Sequence, residues 1–221
     1  MKPFYEHGGI QIFLGDCREI LPTLQKVDLV LTDPPYGLAD RWTGGTWGAN
    51  PIYDEAKRWD REIPTDAVLS LQKHAPAIIV WGGNLYPLPT SRCWLSWRKS
   101  SQMATMADFE LAWTNFDRPS KEWTADRNQD GKRQHPTQKP VELMTWCLSF
   151  APDAQTILDP FMGSGTTLVA AKLLGRRAIG IEICEKYAEI AALRLSQEVL
   201  PITGEWCQAQ AAAANGTPAL I

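Results

Sequence analysis

The stretch Ile157-Leu158-Asp159-Pro160-Phe161-Met162-Gly163-Ser164-Gly165-Thr166-Thr167 predicts a buried strand, a glycine turn and the first residues of a helix. Glycines in such a turn let a ligand approach the backbone, and the helix N-terminus offers free N–H groups to an anionic group. The turn contains no Gly-Lys-Ser/Thr phosphate motif, and Leu168 stands where a dinucleotide fingerprint has its third glycine. The stretch therefore indicates an α/β sheet that binds a ligand at a strand end.

A second strand end follows this turn at the spacing expected for a nucleoside site. The segment Ile179-Gly180-Ile181-Glu182 closes the next apolar run with an acid, about 20 residues beyond the glycine turn. A strand-end carboxylate at that distance suits the hydroxyl groups of a ribose. The glycine turn and Glu182 together predict a cofactor that contains a nucleoside.

An earlier motif, Leu31-Thr32-Asp33-Pro34-Pro35-Tyr36-Gly37, also comes directly after an apolar run. Its two prolines fix the backbone and remove two N–H donors, which leaves a carboxylate, free carbonyl groups and an aromatic ring in a rigid turn. This arrangement suits a planar group that carries an NH2, because the ring can stack on Tyr36 while Asp33 and the Pro34 carbonyl accept hydrogen bonds. The alternative is a tight turn whose carboxylate caps a helix.

Strand and helix signals alternate along the rest of the chain, which predicts a mostly parallel sheet covered by helices. The seven candidate strands are residues 10–14, 27–32, 77–81, 93–97, 109–114, 156–159 and 178–182. The helix candidates are residues 18–24, 65–74, 141–150, 166–174 and 185–195. Two long segments, residues 37–63 and 115–135, lack either pattern, and loops of that length are usually functional or disordered.

Composition supports one globular domain and gives little sign of a metal or a membrane. The 221 residues are 44% hydrophobic and 21% charged, and no apolar run approaches a membrane span. The five cysteines form no CxxC pair, and with three histidines they predict free thiols rather than a zinc site or a disulfide framework. The net charge of −3 means that nucleic-acid binding would depend on clusters of basic residues, such as those in the 115–135 segment. On charge alone, a solvated loop explains that segment equally well.

These motifs resemble those of the amino-DNA methyltransferases, specifically the circularly permuted β class, over nearly the whole chain from Ile10 to Leu195. In that class the Asp-Pro-Pro-Tyr motif precedes the Phe-x-Gly-x-Gly motif, which is the order found here. The segment His135-Pro136-Thr137-Gln138-Lys139-Pro140 is similar to the family segment that leads into the cofactor loop. Trp81-Gly82-Gly83-Asn84 and Phe109-Glu110-Leu111-Ala112-Trp113 are similar to segments of small, often phage-borne members.

The resemblance implies a Rossmann-like sheet of seven strands with one antiparallel strand and with the 156–159 strand in the centre. It also implies that S-adenosyl-L-methionine is the cofactor, that no metal takes part, and that Asp33 and Gly163 meet at the ends of adjacent strands. Asp16 would contact the cofactor adenine, Glu182 its ribose, and Lys139 the methionine carboxylate. The full set of expected cofactor-binding residues is Asp16, His135, Thr137, Lys139, Asp159, Phe161, Gly163, Ser164, Gly165, Thr166 and Glu182, and the expected catalytic residues are Asp33, Pro34, Pro35 and Tyr36. A core role for Phe161 and a turn-forming role for Asp16 remain alternatives.

The expected reaction is methylation of the exocyclic amino group of adenine in double-stranded DNA. Cytosine-N4 methylation is the nearest alternative, and adenine is favoured because members acting on cytosine more often carry Ser where Asp33 stands. Less favoured are an RNA or protein amine methyltransferase, whose relatives favour Asn at that position, and a catalytically silent DNA-binding subunit on the same fold.

The expected organisation is one catalytic domain over residues 1–195 with a C-terminal tail over residues 196–221. Residues 37–63 and 115–134 are the only room for a DNA recognition element, so the site would be short or a homodimer would complete the DNA surface. The absence of a signal peptide or apolar span predicts a cytoplasmic enzyme of a bacterial cell or a phage-infected host, belonging either to a restriction-modification system or to a phage.

Overall fold

A computed structural model describes residues 2–37, 60, 62–100, 107–125 and 138–197 of the chain. In this part of the chain the strands form one sheet in the order β1-β2-β9-β8-β3-β4-β6-β5-β7. The strands are β1 (Tyr5–His7), β2 (Ile10–Leu14), β3 (Leu29–Thr32), β4 (Ala77–Trp81), β5 (Trp94–Lys99), β6 (Phe109–Thr114), β7 (Lys121–Ala125), β8 (Thr156–Asp159) and β9 (Arg177–Glu182). The α-helices are α1 (Cys17–Ile20), α2 (Thr65–Ser70), α3 (Val141–Leu148), α4 (Thr166–Leu173) and α5 (Glu185–Ser196).

All seven expected strands are present, and the mostly parallel α/β sheet is confirmed. Strands β2, β9, β8, β3 and β4 run parallel to one another, and β6 is antiparallel to both β4 and β5. Two short strands were not expected: β1 pairs antiparallel with β2 at one edge, and β7 pairs parallel with β5 at the other. The central position belongs to β3, not to β8, which lies beside it. The circular permutation stays a prediction.

Helices cover both faces of the sheet because its central strands are apolar on both sides. In β3, Leu29 and Leu31 belong to one buried cluster and Val30 to another, and all three are fully buried. The first cluster includes side chains of α3, α4 and α5, and the second includes side chains of α1 and α2. Continuous apolar runs are the pattern expected of parallel strands buried on both faces. The result is a three-layer fold.

Two helices end earlier than the sequence pattern suggested. The 18–24 segment becomes α1 followed by a 3-10 turn over Leu21–Thr23, because Pro22 has no N–H with which to continue an α-helix. The 65–74 segment likewise divides into α2 and a 3-10 turn over Leu71–Lys73. Both helices precede central strands, so these changes leave the strand ends where they were expected.

The proposed division into a 1–195 domain and a 196–221 tail stays a prediction, since the described chain stops at residue 197. Most of the 37–63 segment and the second half of the 115–134 segment also lie outside the described residues. Among the helices that are described, none combines the length and apolarity needed to cross a bilayer.

Candidate active site

The turn after β3 is fixed by hydrogen bonds on both its backbone and its side chains. The Asp60 carboxylate, only 2% exposed, accepts hydrogen bonds through Oδ1 from the backbone N of Tyr36 (2.7 Å) and of Gly37 (2.9 Å). The Tyr36 hydroxyl donates to Asp33 Oδ1, and the Tyr86 hydroxyl donates to the carbonyl of Pro35. No described residue donates to the carbonyl of Pro34. The rigid turn expected from the two prolines is therefore present, with one carbonyl available to a ligand.

The Tyr36 ring lies against the backbone of Gly82, immediately after β4. Gly82 has a φ of +65°, and a Cβ placed on it would lie 2.1 Å from Cε1 of Tyr36. Only glycine allows this approach, because it tolerates positive φ and has no side chain. The Trp81-Gly82-Gly83-Asn84 segment thus forms the surface that supports the aromatic ring.

Lys139 lies in the same cluster and is bound to three acceptors there. Its ammonium group is 2.5 Å from Asp33 Oδ2, 3.2 Å from Glu110 Oε2 and 3.3 Å from the Tyr36 hydroxyl oxygen. An ammonium group has three N–H donors, and these three acceptors use all of them. Lys139 is therefore bound to the Asp33 cluster, and its expected contact with the cofactor carboxylate stays a prediction.

Burial and charge oppose each other in this cluster. Burial raises the pKa of Asp33 above its ordinary value, although the adjacent Lys139 acts to lower it. Burial would lower the pKa of Lys139, but Asp33 and Glu110 together raise that pKa above its ordinary value. The pKa of Tyr36 rises well above its ordinary value through burial and the Asp33 charge. Because its pKa lies above the ordinary value, Lys139 carries a positive charge at neutral pH.

The turn after β8 brings backbone donors to the edge of the same region. Gly163 (φ +53°) donates its N–H to Glu182 Oε2 over 2.9 Å, and α4 begins three residues later at Thr166. Ser164 donates through its hydroxyl to Gln138 Oε1 (3.4 Å). Gly165, also at positive φ, faces away, because a Cβ there would lie 2.8 Å from that of Ala191 in α5. A glycine is needed at this position because α5 packs directly against the turn.

Two carboxyl groups at the ends of β8 and β9 have raised pKa values. Glu182 accepts from the backbone N of Gly163 and of Cys184, yet burial raises its pKa to about 7. Asp159 is 3% exposed and accepts from the Thr32 hydroxyl (2.7 Å), and burial raises its pKa to about 6. The Thr32–Asp159 bond joins β3 to β8, so it holds the two motif-bearing strand ends together.

Asp16 has the turn-forming role that was left open. It is the N-cap of α1, where Oδ1 accepts from the backbone N of Arg18 (2.9 Å), and its Oδ2 also pairs with the Arg18 guanidinium (2.6 Å). That role does not remove it from the site, because its side chain remains partly exposed toward the cavity.

One cavity of about 550 Å³ joins the two motifs across the ends of β3, β8 and β9. The expected meeting of Asp33 and Gly163 at adjacent strand ends is therefore confirmed. The predicted residues that line the cavity are Asp16, Asp33, Pro34, Pro35, Tyr36, Lys139, Asp159, Phe161, Gly163, Ser164, Thr166 and Glu182. Gly165 is not among them, and His135 and Thr137 lie outside the described residues.

Sequence reasoning assigned no role to three residues that shape the site. Asp60 could not be distinguished from the other acids of the 37–63 segment, since its partners are backbone N–H groups. Tyr86 lies in none of the motifs recognised in the sequence. Glu110 did carry a signal: it is an acid inside an apolar strand, and such residues are almost never buried without a partner.

Comparison with known proteins places the chain among enzymes that modify DNA. The model of the family described as DNA methylase, of the N6/N4 type, matches residues 80–193. A putative methylase YubD of Escherichia coli is 29% identical over 212 residues, covering 82% of this chain and 88% of its own length. The type II methyltransferase M.HpaI of Haemophilus parainfluenzae is 27% identical over 236 residues, covering 85% of this chain and 74% of its own.

Solved structures show the same fold at lower sequence identity. The complex of M1.HpyAVI with SAM covers 85% of this chain and all of its own, with 24% identity and a TM-score of 0.53. The cytosine-N4-specific PvuII DNA methyltransferase covers 97% of this chain and 96% of its own, with 16% identity and a TM-score of 0.60. With the matched family model spanning more than half of its residues, this chain belongs to the DNA methylase family of the N6/N4 type.

Proposed function

We propose that this protein transfers a methyl group from S-adenosyl-L-methionine to the exocyclic amino group of adenine in double-stranded DNA. The observation that carries the proposal is the single cavity that brings the Asp33–Tyr36 turn to the glycine turn and Glu182. Membership of the DNA methylase family supports the reaction class. The adenine preference rests on Asp33, which offers a carboxylate where cytosine enzymes more often carry a serine.

The cavity fits the cofactor on the chemistry of its lining. Glu182, at the end of β9, offers carboxylate lone pairs to ribose hydroxyl groups. Phe161 and Ile183 offer apolar surface for a purine ring, and Ile183 is 61% exposed although it is a large apolar side chain. Gly163 has no side chain, so a ligand can approach its backbone closely. Asp16 at the rim is the proposed partner of the adenine amino group.

The residues after β3 act on the target amine. The lone pair of the adenine amino nitrogen is delocalised into the ring, so the nitrogen is a poor nucleophile. Hydrogen bonds from its two N–H groups to the Asp33 carboxylate and the Pro34 carbonyl favour a pyramidal nitrogen with a localised lone pair. S-adenosyl-L-methionine supplies an electrophilic methyl group on a sulfonium. As the nitrogen–methyl bond forms, the sulfur–methyl bond breaks and its electron pair stays on sulfur as a neutral thioether. Positive charge grows on nitrogen, and the largely buried Asp33 carboxylate stabilises it in the transition state. The methylated nitrogen then loses one proton to solvent.

A base paired within a duplex cannot reach Asp33, so the target base must be flipped out of the helix. The Tyr36 ring, supported by Gly82, provides a surface on which the flipped base stacks. The DNA contacts are assigned to residues 37–63 and 115–134, and a homodimer would extend that surface. We place the enzyme in the cytoplasm of a bacterial or phage-infected cell, where its DNA substrate lies.

Asp33→Ala and Asp33→Asn test the proposal with labelled cofactor and unmethylated genomic DNA. Both variants are expected to lose methyl transfer by at least about a hundredfold while the cofactor dissociation constant stays within a few-fold, because Asp33 acts on the amine. Asp153→Ala, at an exposed turn position, is the control and should match the wild type. Normal turnover by Asp33→Asn would remove Asp33 from its role. Mass spectrometry of the modified nucleosides distinguishes N6-methyladenine from N4-methylcytosine.

A further inference from the structure

Four charged side chains from four separate parts of the chain form a continuous row of ion pairs that ends at Asp33. Lys99 Nζ, at the end of β5, lies 2.6 Å from Glu110 Oε1 in β6. The other oxygen of Glu110 lies 3.2 Å from Lys139 Nζ, which is 2.5 Å from Asp33 Oδ2. Two positive and two negative groups alternate along this row, so its net charge is zero.

Lys139 is enclosed more tightly than an ordinary ion-pairing lysine. The residue is 5% exposed, and its ammonium group also lies 5.6 Å from the Tyr36 ring centroid and 5.5 Å from the Trp81 ring centroid. Aromatic rings at this distance attract a cation and keep water away from it. The ammonium is thus held in one position between Asp33 and Glu110.

Stability alone is a weak explanation for such a row. Removing charged groups from water costs several kcal/mol per ion, and buried ion pairs commonly do no better than apolar side chains of similar volume. Strongly shifted pKa values are concentrated at functional sites, where neighbouring charges adjust acids and bases. The row here ends on the one carboxylate that the proposed reaction requires as an acceptor.

We propose that Lys139 is a positioning residue that keeps the Asp33 carboxylate ionised and aimed at the target amine, and that Glu110 weakens this hold by sharing the ammonium group. The proposal rests on the proposed function, because it assigns Lys139 and Glu110 their roles in that reaction. A protonated Asp33 would present an O–H donor where the amine needs an acceptor, so the charge of Lys139 decides whether the site can work at a given pH.

Removal of the two residues should shift the titration of Asp33 in opposite directions. The titratable groups that face Asp33 are Tyr36 in its own turn, Lys139 before α3, Glu110 in β6, Asp159 in β8 and Tyr86 after β4. Among them the Lys139 charge lowers the pKa of Asp33 and the Glu110 charge raises it, with burial raising it further. Glu110 is itself ionised, since Lys139 and Lys99 overcome its burial and lower its pKa to about 2.

The experiment measures the single-turnover rate of methyl transfer against pH, at saturating cofactor so that protonation of Glu182 does not enter. Lys139→Gln should reduce the rate at pH 7 at least about tenfold and move the acid limb of the profile upward by about one pH unit or more. Glu110→Gln should move the acid limb downward. Lys139→Arg, which keeps the charge, should restore the wild-type limb at a reduced rate.

Glu6→Gln is the matched control, because Glu6 is an exposed strand glutamate that accepts a hydrogen bond from Gln11 in the distant edge strand pair. Thermal unfolding and cofactor affinity show which variants are folded. If Lys139→Gln does not fold, the pH profiles of Glu110→Gln and Lys139→Arg test the positioning role. Acid limbs that stay in place, or that move in the same direction, in an active series overturn the positioning role alone. A wild-type protein that transfers no methyl group overturns the proposed function and this role with it.

Discussion

Substitution of Gly82 by alanine should damage the site through the Tyr36 ring while leaving the cofactor side of the cavity intact. The added Cβ would lie 2.1 Å from Cε1, 2.6 Å from Cζ and 2.8 Å from Cδ1 of Tyr36. Carbon atoms in ordinary contact are about 3.5–4.0 Å apart, so the ring has to move by about 1.5 Å. Such a movement breaks the hydrogen bond from the Tyr36 hydroxyl to Asp33 and tilts the surface on which the base stacks.

The magnitude follows from two separate contributions. Alanine at a φ of +65° costs about 1–2 kcal/mol of strain. Loss of a hydrogen bond to a charged group costs about 1.5–3 kcal/mol, so the free energy of unfolding should fall by about 2.5–5 kcal/mol in total. Loss of stacking on Tyr36 removes about 1–3 kcal/mol from the bound state of the flipped base, which lowers methyl transfer roughly 5- to 150-fold.

Gly175→Ala measures the cost of backbone strain at positive φ without a steric clash of the added Cβ. Gly175 has a φ of +68°, nearly that of Gly82, but a Cβ there would meet no heavy atom within 4 Å. It should therefore lose only the backbone contribution of about 1–2 kcal/mol and keep its activity. Urea unfolding and transfer of a labelled methyl group measure the two effects. Equal destabilisation of the two variants, with activity retained in Gly82→Ala, would refute the reasoning.

Two further predictions concern the other walls of the site. Glu182→Ala should weaken cofactor binding at least about tenfold, because the ribose loses a charged acceptor; an unchanged dissociation constant by calorimetry would rule out that contact. Since the pKa of Glu182 is about 7 and the carboxylate is the acceptor form, wild-type affinity should rise between pH 6 and pH 8 and then level off. Glu182→Gln should lose most of that rise, and Asp159, with a pKa of about 6, accounts for what remains below pH 7. Asp60→Ala should lower the free energy of unfolding by about 1–3 kcal/mol, because the backbone N–H groups of Tyr36 and Gly37 lose their acceptor in a partly buried turn. Asp60→Asn should recover more than half of that loss, since its amide oxygen still accepts.

Local pattern was sufficient to predict the central strands and the two motifs. Continuous apolar runs such as Leu29–Thr32 indicate burial on both faces, and turn residues immediately after them mark strand ends. The family resemblance, rather than local pattern, implied that Asp33 and Gly163 meet on adjacent strands, and the carboxyl ends of parallel strands do lie at one edge of a sheet. The observed cavity has that geometry.

The sequence did not predict the edge strands or the partners of the charged side chains, for two different physical reasons. In strand β7 the exposed Glu122 and Thr124 alternate with half-buried residues that include Lys121, and an edge strand of this polarity resembles a charged loop in sequence. The pairing of Lys139 with Asp33 and Glu110 was not predicted, because a long flexible side chain can reach several acceptors and the choice depends on where β6 places Glu110. Sequence spacing carries no information on that distance.

The row of ion pairs connects the antiparallel strands β5 and β6 to Asp33. Asp33 acts in a site largely closed to water, where burial raises its pKa and favours the protonated form, which has no negative charge and presents an O–H donor. A neighbouring cation solves that difficulty only if the cation is itself kept charged, and Lys139 is buried as well. Asp33 itself raises the pKa of Lys139 and so keeps it charged. Glu110 in β6 shares the ammonium group and moderates its effect on Asp33, and Lys99 at the end of β5 pairs with Glu110. On the proposed role of this row, substitutions that shift the register of β5 and β6 should alter the pH dependence of methyl transfer before they alter cofactor affinity.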